Sequence, residues 1–304
     1  MKENKFITVL GGSNMDLIAY SNDKLIPKDA NIGHLETIHG GVGRNIAENL
    51  NRLGFQVNFL SVFGDDAFGE ELITACDTVG MNTSGSIKVK NHKNASFIAI
   101  MNSQNDLELG ISAMEIYDDV PFDLVDANEA LINQSDYCVL DTNMPEDILK
   151  HIVEKHPNKR FALDAVSGIK ALKAKAILDK LYILKVNLLE AELLSNIKVN
   201  NANYDDLIHY FLAEGVQKVF ITLGSKGVVV GEKDYIKQLE INAVKAVNTS
   251  GAGDAFMAGL VYGDYHNFDI LKTVQFAQAC SRLTVQHKKT VHPDLDAEMI
   301  LNQI

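Results

Sequence analysis

The chain is short of several features that mark common protein classes. It has five prolines among 304 residues and no Pro- or Ser-rich stretch, low-complexity tract or internal repeat, so no flexible linker between domains is advertised. Its three cysteines, Cys76, Cys138 and Cys280, are widely separated and form no CxxC pair. That excludes a disulfide framework or a zinc site and makes them small core residues. The nine histidines supply no HxxxH or HExxH pair, which argues against a metal hydrolase and leaves His34, His39 and His287 as surface or interface residues. No run of about 18 apolar residues exists. The opening "MKENKFITVLGG" offers only Phe6 to Leu10 before a glycine pair, too short for a signal peptide, so a cytoplasmic protein without a membrane partner is expected.

Positive charge is scarce as well. Lys and Arg total 28 against 40 Asp and Glu, for a formal charge of −12, and no dense basic cluster appears. This excludes a protein that grips nucleic acid through its phosphates. A phosphorylated small ligand stays compatible, provided that backbone amides, a helix N-terminus or a divalent metal supply positive potential locally.

What is present is a hydrophobic content of 46%, enough for a sizeable core. Short β-branched runs alternate with amphipathic segments. The predicted strands are "FITVL" (6–10), "VNFLSVF" (57–63), "YCVL" (137–140), "RFALD" (160–164), "YILKV" (182–186) and "KVFITL" (218–223). Between them "RNIAENLNRLG", "FGEELITACDTVG", "MPEDILKHIVEKH", "LEAELLSNI" and "YDDLIHYFLAEG" carry helical periodicity. The pattern predicts an α/β fold, a mostly parallel sheet covered by helices on both sides. Residues 14–39, with "LIAY" and "HLETIH", and 95–113, two strands joined around Asn102 to Asp106, interrupt it. Neither is large enough to fold alone, and together they predict one small β-sheet over an edge of a single domain spanning 1–304, suited to act as a lid. Met101 and Met114 flank it as packing residues.

Two glycine-rich turns carry the chemistry. "VNTSGAGDAFMAGLVYG" (247–263) leads small residues into a helix crowded with small and apolar side chains. Gly251 and Gly253 let backbone N–H groups converge, and the helix adds its positive end, which makes an anion hole. Asp254 beside it is suited to take a proton from an attacking hydroxyl, as in phosphoryl transfer to an alcohol. Alone, the stretch reads equally as a glycine turn with Asp in the first helical turn, common in any α/β protein. The other turn, "GGVGRNIAENLNRLG" (40–54), is no dinucleotide fingerprint, because Ile46 stands where a third glycine or alanine is needed, and no GxxxxGK[ST] occurs. Asp141 and Asp164 each end a predicted strand, where ligands gather in parallel sheets. Either also suits a turn cap, and of the two the substrate role falls to Asp141.

With "GGSNMDLIAY", "GGVGRNIAENLNRLG", "NLLE" (187–190), "TLGSKG" (222–227) and "NTSGAGDAF" (248–256) in that order, the chain resembles the PfkB, or ribokinase-like, sugar and nucleoside kinases across nearly its whole length. The resemblance implies a ribokinase-like three-layer α/β/α sandwich, ATP and Mg²⁺ as cofactors, and a small-molecule sugar or nucleoside as substrate. It implies that Asp254 is the catalytic base and that the amides of Gly251, Ala252 and Gly253 stabilise the transferring phosphoryl group. Asn187 and Glu190 match the NxxE motif that organises Mg²⁺ and its waters, with Glu190 acting on the metal through water. Thr222, Gly224 and Gly227 match the nucleotide-binding strand and turn, and 277–287 the adenine pocket. Asn14, Asp16 and Asn45 would hold the sugar hydroxyls, while Gly40 and Gly41 approach the ring with bare backbone, where a Cβ would fill its space. Val42 replaces the Lys usual in ribokinases. Arg44 begins the helix and suits either structure or substrate. Asn248 stands where the family often has an Asp that helps bind an activating monovalent cation, which weakens the expectation of K⁺ activation.

Within the family the GGVxRN turn and "LGISAMEIYDDV" are most similar to pseudouridine kinases. This implies transfer to the 5′-hydroxyl of pseudouridine, with the base read from within Phe97 to Ala113. Ribose and other nucleosides are the nearest alternative acceptors, and a catalytically silent ligand-binding homologue is a third reading. Exposed strand edges on the small sheet imply a homodimer formed through it.

Overall fold

The computed structural model describes residues 5–104, 106–200, 203–233, 235–242 and 244–304. Residues 1–4 of the opening segment, and Asn105 in the turn expected between two lid strands, lie outside the described residues. Among the described residues the strands are, in chain order, β1 (Phe6–Leu10), β2 (Asn14–Ser21), β3 (Gly33–Gly40), β4 (Gln56–Leu60), β5 (Val62–Gly64), β6 (Ile87–Val89), β7 (Ser96–Met101), β8 (Leu107–Ala113), β9 (Tyr137–Asp141), β10 (Arg160–Asp164), β11 (Leu181–Asn187), β12 (Lys218–Thr222), β13 (Val228–Glu232) and β14 (Tyr235–Leu239).

The main sheet has the order β14-β13-β12-β11-β10-β9-β1-β4. From β12 to β4 every pairing is parallel, while β13 and β14 add an antiparallel edge. Period-two alternation explains the layers: on β12, Val219 and Ile221 join one core and Phe220 the other. One core packs Ile148, Ile152, Leu207 and Phe211 from the helices Glu146–Lys155 and Asp205–Ala213. The opposite core packs Ile46, Leu50, Met257, Leu260 and Phe276 from the helices Val42–Arg52, Ala252–Tyr265 and Ile270–Val285. Each such fully buried side chain contributes about 1.5–3 kcal/mol of transfer free energy. The result is the expected three-layer α/β/α arrangement. Among the described residues no helix is long and apolar enough to cross a membrane.

Two departures from the sequence reading have local causes. The run "VNFLSVF" is two strands, β4 and β5, because Ser61 leaves the ladder: its N–H donates to Ser86 Oγ (3.0 Å) and its hydroxyl to the Gly11 carbonyl (2.7 Å). The antiparallel edge was also unanticipated. Gly227, at φ 96°, turns the chain straight back after the short loop 223–227, leaving no room for a crossover helix.

The excursions at 14–39 and 95–113 form one four-stranded sheet, order β3-β2-β7-β8, in which β2 and β7 pair in parallel. Its root is fixed by Tyr117, which is buried and whose hydroxyl accepts from Ser13 N–H (2.6 Å) and donates to the Ser13 carbonyl (2.9 Å). Tyr117→Phe would leave those backbone groups without this partner, and is expected to lower the unfolding free energy by about 1–3 kcal/mol in urea denaturation. An unchanged midpoint would show that the bonds stabilise nothing.

Candidate active site

The C-terminal ends of the parallel strands carry a row of charged and polar residues. Register sets Asp141 beside Asp164, Asp164 beside Lys185, and Asn187 beside Thr222. This is the edge where open parallel sheets hold ligands. Over it stand the helices Val42–Arg52 and Ala252–Tyr265, which pack against each other and bring the two glycine turns together.

The decisive contact joins residues 209 apart in the chain: Asn45 Nδ2 donates to Asp254 Oδ2 at 2.7 Å. Both side chains are nearly buried, with 4% and 7% of their surface exposed. Burial, and next the neighbouring Asp164 carboxylate, push the Asp254 carboxyl up to about 7, against the opposing effects of the Asn45 hydrogen bond and the Lys185 charge. It therefore sits near the value best suited to exchanging a proton at neutral pH.

Asp254 lies in the first turn of a 14-residue helix that begins at Gly251 with φ 81° and has no side-chain hydrogen bond capping its start. The helices at Ala67, Leu188, Ile270 and Ala297 are all capped by Asp or Asn side chains. Ala252 N–H reaches the Thr249 carbonyl only at 3.4 Å, so without a side-chain cap the start of this helix suits an anion, and the dipole favours one. A Cβ at Gly251 would lie 1.9 Å from the Thr290 carbonyl oxygen, and one at Gly253 would lie 2.7 Å from Lys185 Nζ. The turn is therefore wedged between the 290 loop and a buried ammonium.

That ammonium was missed from the sequence. Lys185 pairs with Asp164 at 2.8 Å, both buried. Although burial alone would lower the lysine's pKa, Asp164 first and then Glu190 and Asp254 raise it overall, so the side chain is held charged. The signal was present in "KVNLLE": strand alternation gives Lys185 and Asn187 the same orientation at the end of β11.

The remaining residues divide. Asn14 Nδ2 donates to Asp16 Oδ1 (2.5 Å), and β2–β3 register sets Asn14 opposite Gly40. Burial pushes the Asp16 carboxyl up to about 6. A Cβ at Gly40 would meet that carboxylate at 2.5 Å, and one at Gly41, where φ is 99°, would lie 2.4 Å from the Gly12 carbonyl oxygen. A side chain at either glycine would therefore also collide with the protein itself. Val42, half-buried, opens the helix against the core.

Asp141, for which a substrate role is expected, is held by backbone groups in the structure. It is wholly buried, and its carboxylate accepts from Gly12 N–H (2.8 Å) and Asn143 N–H (2.7 Å). It braces two strand ends.

Glu190 and Asn187 form a capping box: Glu190 accepts from Asn187 N–H (2.8 Å) and Nδ2 (2.7 Å), while Asn187 Oδ1 accepts from Glu190 N–H (2.9 Å). Each Glu190 oxygen already accepts one hydrogen bond, an arrangement that fits Mg²⁺ held through water, and no cluster of three potential ligands occurs among the described residues. Thr222 donates to the Val186 carbonyl (3.4 Å), which holds it beside this cap, and Gly224 has open space around it. Asn248 bridges two loops, donating to the Lys288 carbonyl (2.8 Å) and accepting from Ser250 N–H (2.9 Å).

Residues 4–297 match the family described as pfkB family carbohydrate kinase. The chain is 28% identical to the pseudouridine kinase of Escherichia coli strain K12, over 100% of this chain and 98% of that protein. Among solved structures, a putative sugar kinase from Clostridium perfringens superimposes with TM-score 0.85 at 29% identity, covering 99% of this chain and 96% of that one. The ribokinase of Arabidopsis thaliana, solved with ribose and ATP, gives TM-score 0.87 at 22% identity and 97% coverage of both, a likeness of fold.

The raised Asp254 value carries a stability consequence. A carboxyl whose native pKa exceeds its unfolded value binds its proton better when folded, so it detracts from stability once the unfolded group ionises near pH 4, and fully so above about 7. Asp254→Asn is expected to melt higher than the parent at pH 8, the advantage shrinking as pH falls from 7 to 4. Equal melting at pH 8, or an advantage that grows in acid, would contradict the assignment.

Proposed function

The chain belongs to the pfkB family of carbohydrate kinases, phosphotransferases acting on a hydroxyl group, and from that premise we propose that it phosphorylates the 5′-hydroxyl of pseudouridine. Support for the acceptor comes from the GGVGRN turn and from full-length similarity to a pseudouridine kinase. The observation that supports the chemistry is the Asn45–Asp254 contact, in which a carboxyl pushed up to about 7 stands between the turn at 40–45 and a helix start without a side-chain cap.

In this reading bound MgATP supplies the phosphoryl group and part of its counter-charge. Asp16, with Asn14 behind it, accepts hydrogen bonds from ribose hydroxyls, and Asn45 donates to one. Asp254 takes the 5′-hydroxyl proton as the oxygen attacks. The amides of Gly251, Ala252 and Gly253, at the positive end of the helix, hold the charge that builds on the transferring group. Lys185 stands against the same turn and adds a fixed positive charge. Glu190 and Asn187 would orient water around the metal, while Thr222, Gly224, Gly227 and Asn248 border the nucleotide. The small sheet would close over the nucleoside and exclude water, which competes for the phosphoryl group. Its exposed Leu35, Leu107, Leu109 and Ile111 favour pairing with a second copy, and a cytoplasmic placement completes the reading.

Asp254→Asn is expected to retain ATP and nucleoside binding while turnover falls by about 10²- to 10⁴-fold. Near-parental turnover would remove Asp254 from its role. With the parent enzyme at fixed ATP, pseudouridine is expected to outcompete uridine and ribose. Preference for either of those would redirect the substrate assignment and leave the phosphotransfer intact.

A further inference from the structure

Arg44 is among the most buried charged groups in the protein, with 3% of its surface exposed. It lies one residue from Asn45, yet nothing in the reaction scheme uses it. Its guanidinium makes four hydrogen bonds. Nε donates to the Gly40 carbonyl (3.2 Å), Nη1 to Glu48 Oε2 (2.8 Å), and Nη2 to both the His39 carbonyl (3.0 Å) and Asn45 Oδ1 (2.7 Å). Glu48 is itself gripped from the far side by Arg52 Nε (2.9 Å) and Nη2 (2.7 Å).

The chemistry of these partners decides how the Asn45 amide must lie. A guanidinium only donates, so the amide atom facing Arg44 has to be the oxygen. The NH₂ group is then left for Asp254, an acceptor when ionised. The Thr290 hydroxyl, 3.4 Å from the same Oδ1, can donate or accept and fits either orientation, so the guanidinium makes the choice. A flipped amide would turn N–H groups toward the guanidinium and present a carbonyl oxygen to the Asp254 carboxylate, two repulsive contacts in a dry site.

We propose that Arg44 is a positioning residue, locking the Asn45 amide so that its NH₂ group faces Asp254 and holding the carbonyls of residues 39 and 40 in the glycine turn. The consequence for catalysis rests on Asp254 being the base, whereas the geometric claim does not. Losing the lock replaces a donor beside the carboxylate with a freely rotating amide, which favours the protonated acid. The groups facing Asp254 are Asp141 from β9, Asp164 from β10, Lys185 from β11 and Asn45 from the helix Val42–Arg52. None of these changes identity when Arg44 is substituted.

The test is carboxyl titration by carbon NMR on the full chain labelled at aspartate Cγ, without ligand, the Asp254 signal being identified by its loss in Asp254→Asn. The parent is expected to titrate near 7. Arg44→Ala and Arg44→Lys should both raise the midpoint by about one pH unit, as expected when a hydrogen bond to the charged form is lost. Lys is the informative variant because it keeps the charge, while a single ammonium cannot span Glu48 and the Asn45 oxygen, which Arg44 reaches with different nitrogens. Should Arg44→Ala fail to fold, Arg44→Lys decides alone. In an Asn45→Ala background neither substitution should move the midpoint further. An unmoved midpoint in Arg44→Lys, or an undiminished shift without Asn45, overturns the proposal. A fully active Asp254→Asn would instead defeat the base assignment and leave this titration result standing.

Discussion

Everything at this site turns on one buried carboxylate that can neither be fully solvated nor fully paired. Asp254 receives a single neutral hydrogen bond from Asn45 and the more distant attraction of Lys185, while Asp164 and Asp141 repel it. Had the lysine paired with Asp254 instead of Asp164, the acid would be pinned in its charged form and would make a poor base. The division of labour between Asp164, which takes the cation, and Asp254, which does not, gives two neighbouring carboxyls different tasks.

The fold makes that division possible at little extra expense. Parallel strands end together, so register alone puts Asp141, Asp164, Lys185 and Asn187 in one row. The two helices crossing above deliver Asn45 and Asp254 from opposite ends of the sequence. Because both turns meet backbone or charged side chains where a Cβ would sit, they fit closely only as glycine. The small sheet built on β2 and β7 is rooted beside this seam at Tyr117.

Much of this was legible beforehand, and the exceptions are instructive. The parallel strands of the main sheet announced themselves because runs such as "YCVL" and "RFALD" are largely buried. Asp254 and Asn45 were assigned to one site only through family resemblance, and their direct contact was not foreseen, since nothing in local periodicity links positions so far apart. The bracing role of Asp141 was not legible because a carboxylate at a strand end looks alike whether it meets ligand or backbone, and its bonds to Gly12 and Asn143 depend on the fold. Lys185 escaped notice because a lone lysine in an apolar strand reads as an edge residue until its partner on the adjacent strand is known. Arg44 stayed ambiguous for a related reason: helix spacing reveals its i,i+4 link to Glu48, but its hold on Asn45 depends on rotamers.

The most direct test of the central claim is the pH dependence of turnover in the parent enzyme with saturating MgATP and pseudouridine. A base held up to about 7 by burial must lose its proton before it can accept one, so turnover should fall about tenfold per unit on the acid side of 7 and level off above it. A profile that stays flat down to pH 5 would mean that the group accepting the proton is an ordinary, solvated carboxylate, and the account built on Asp254 would be wrong.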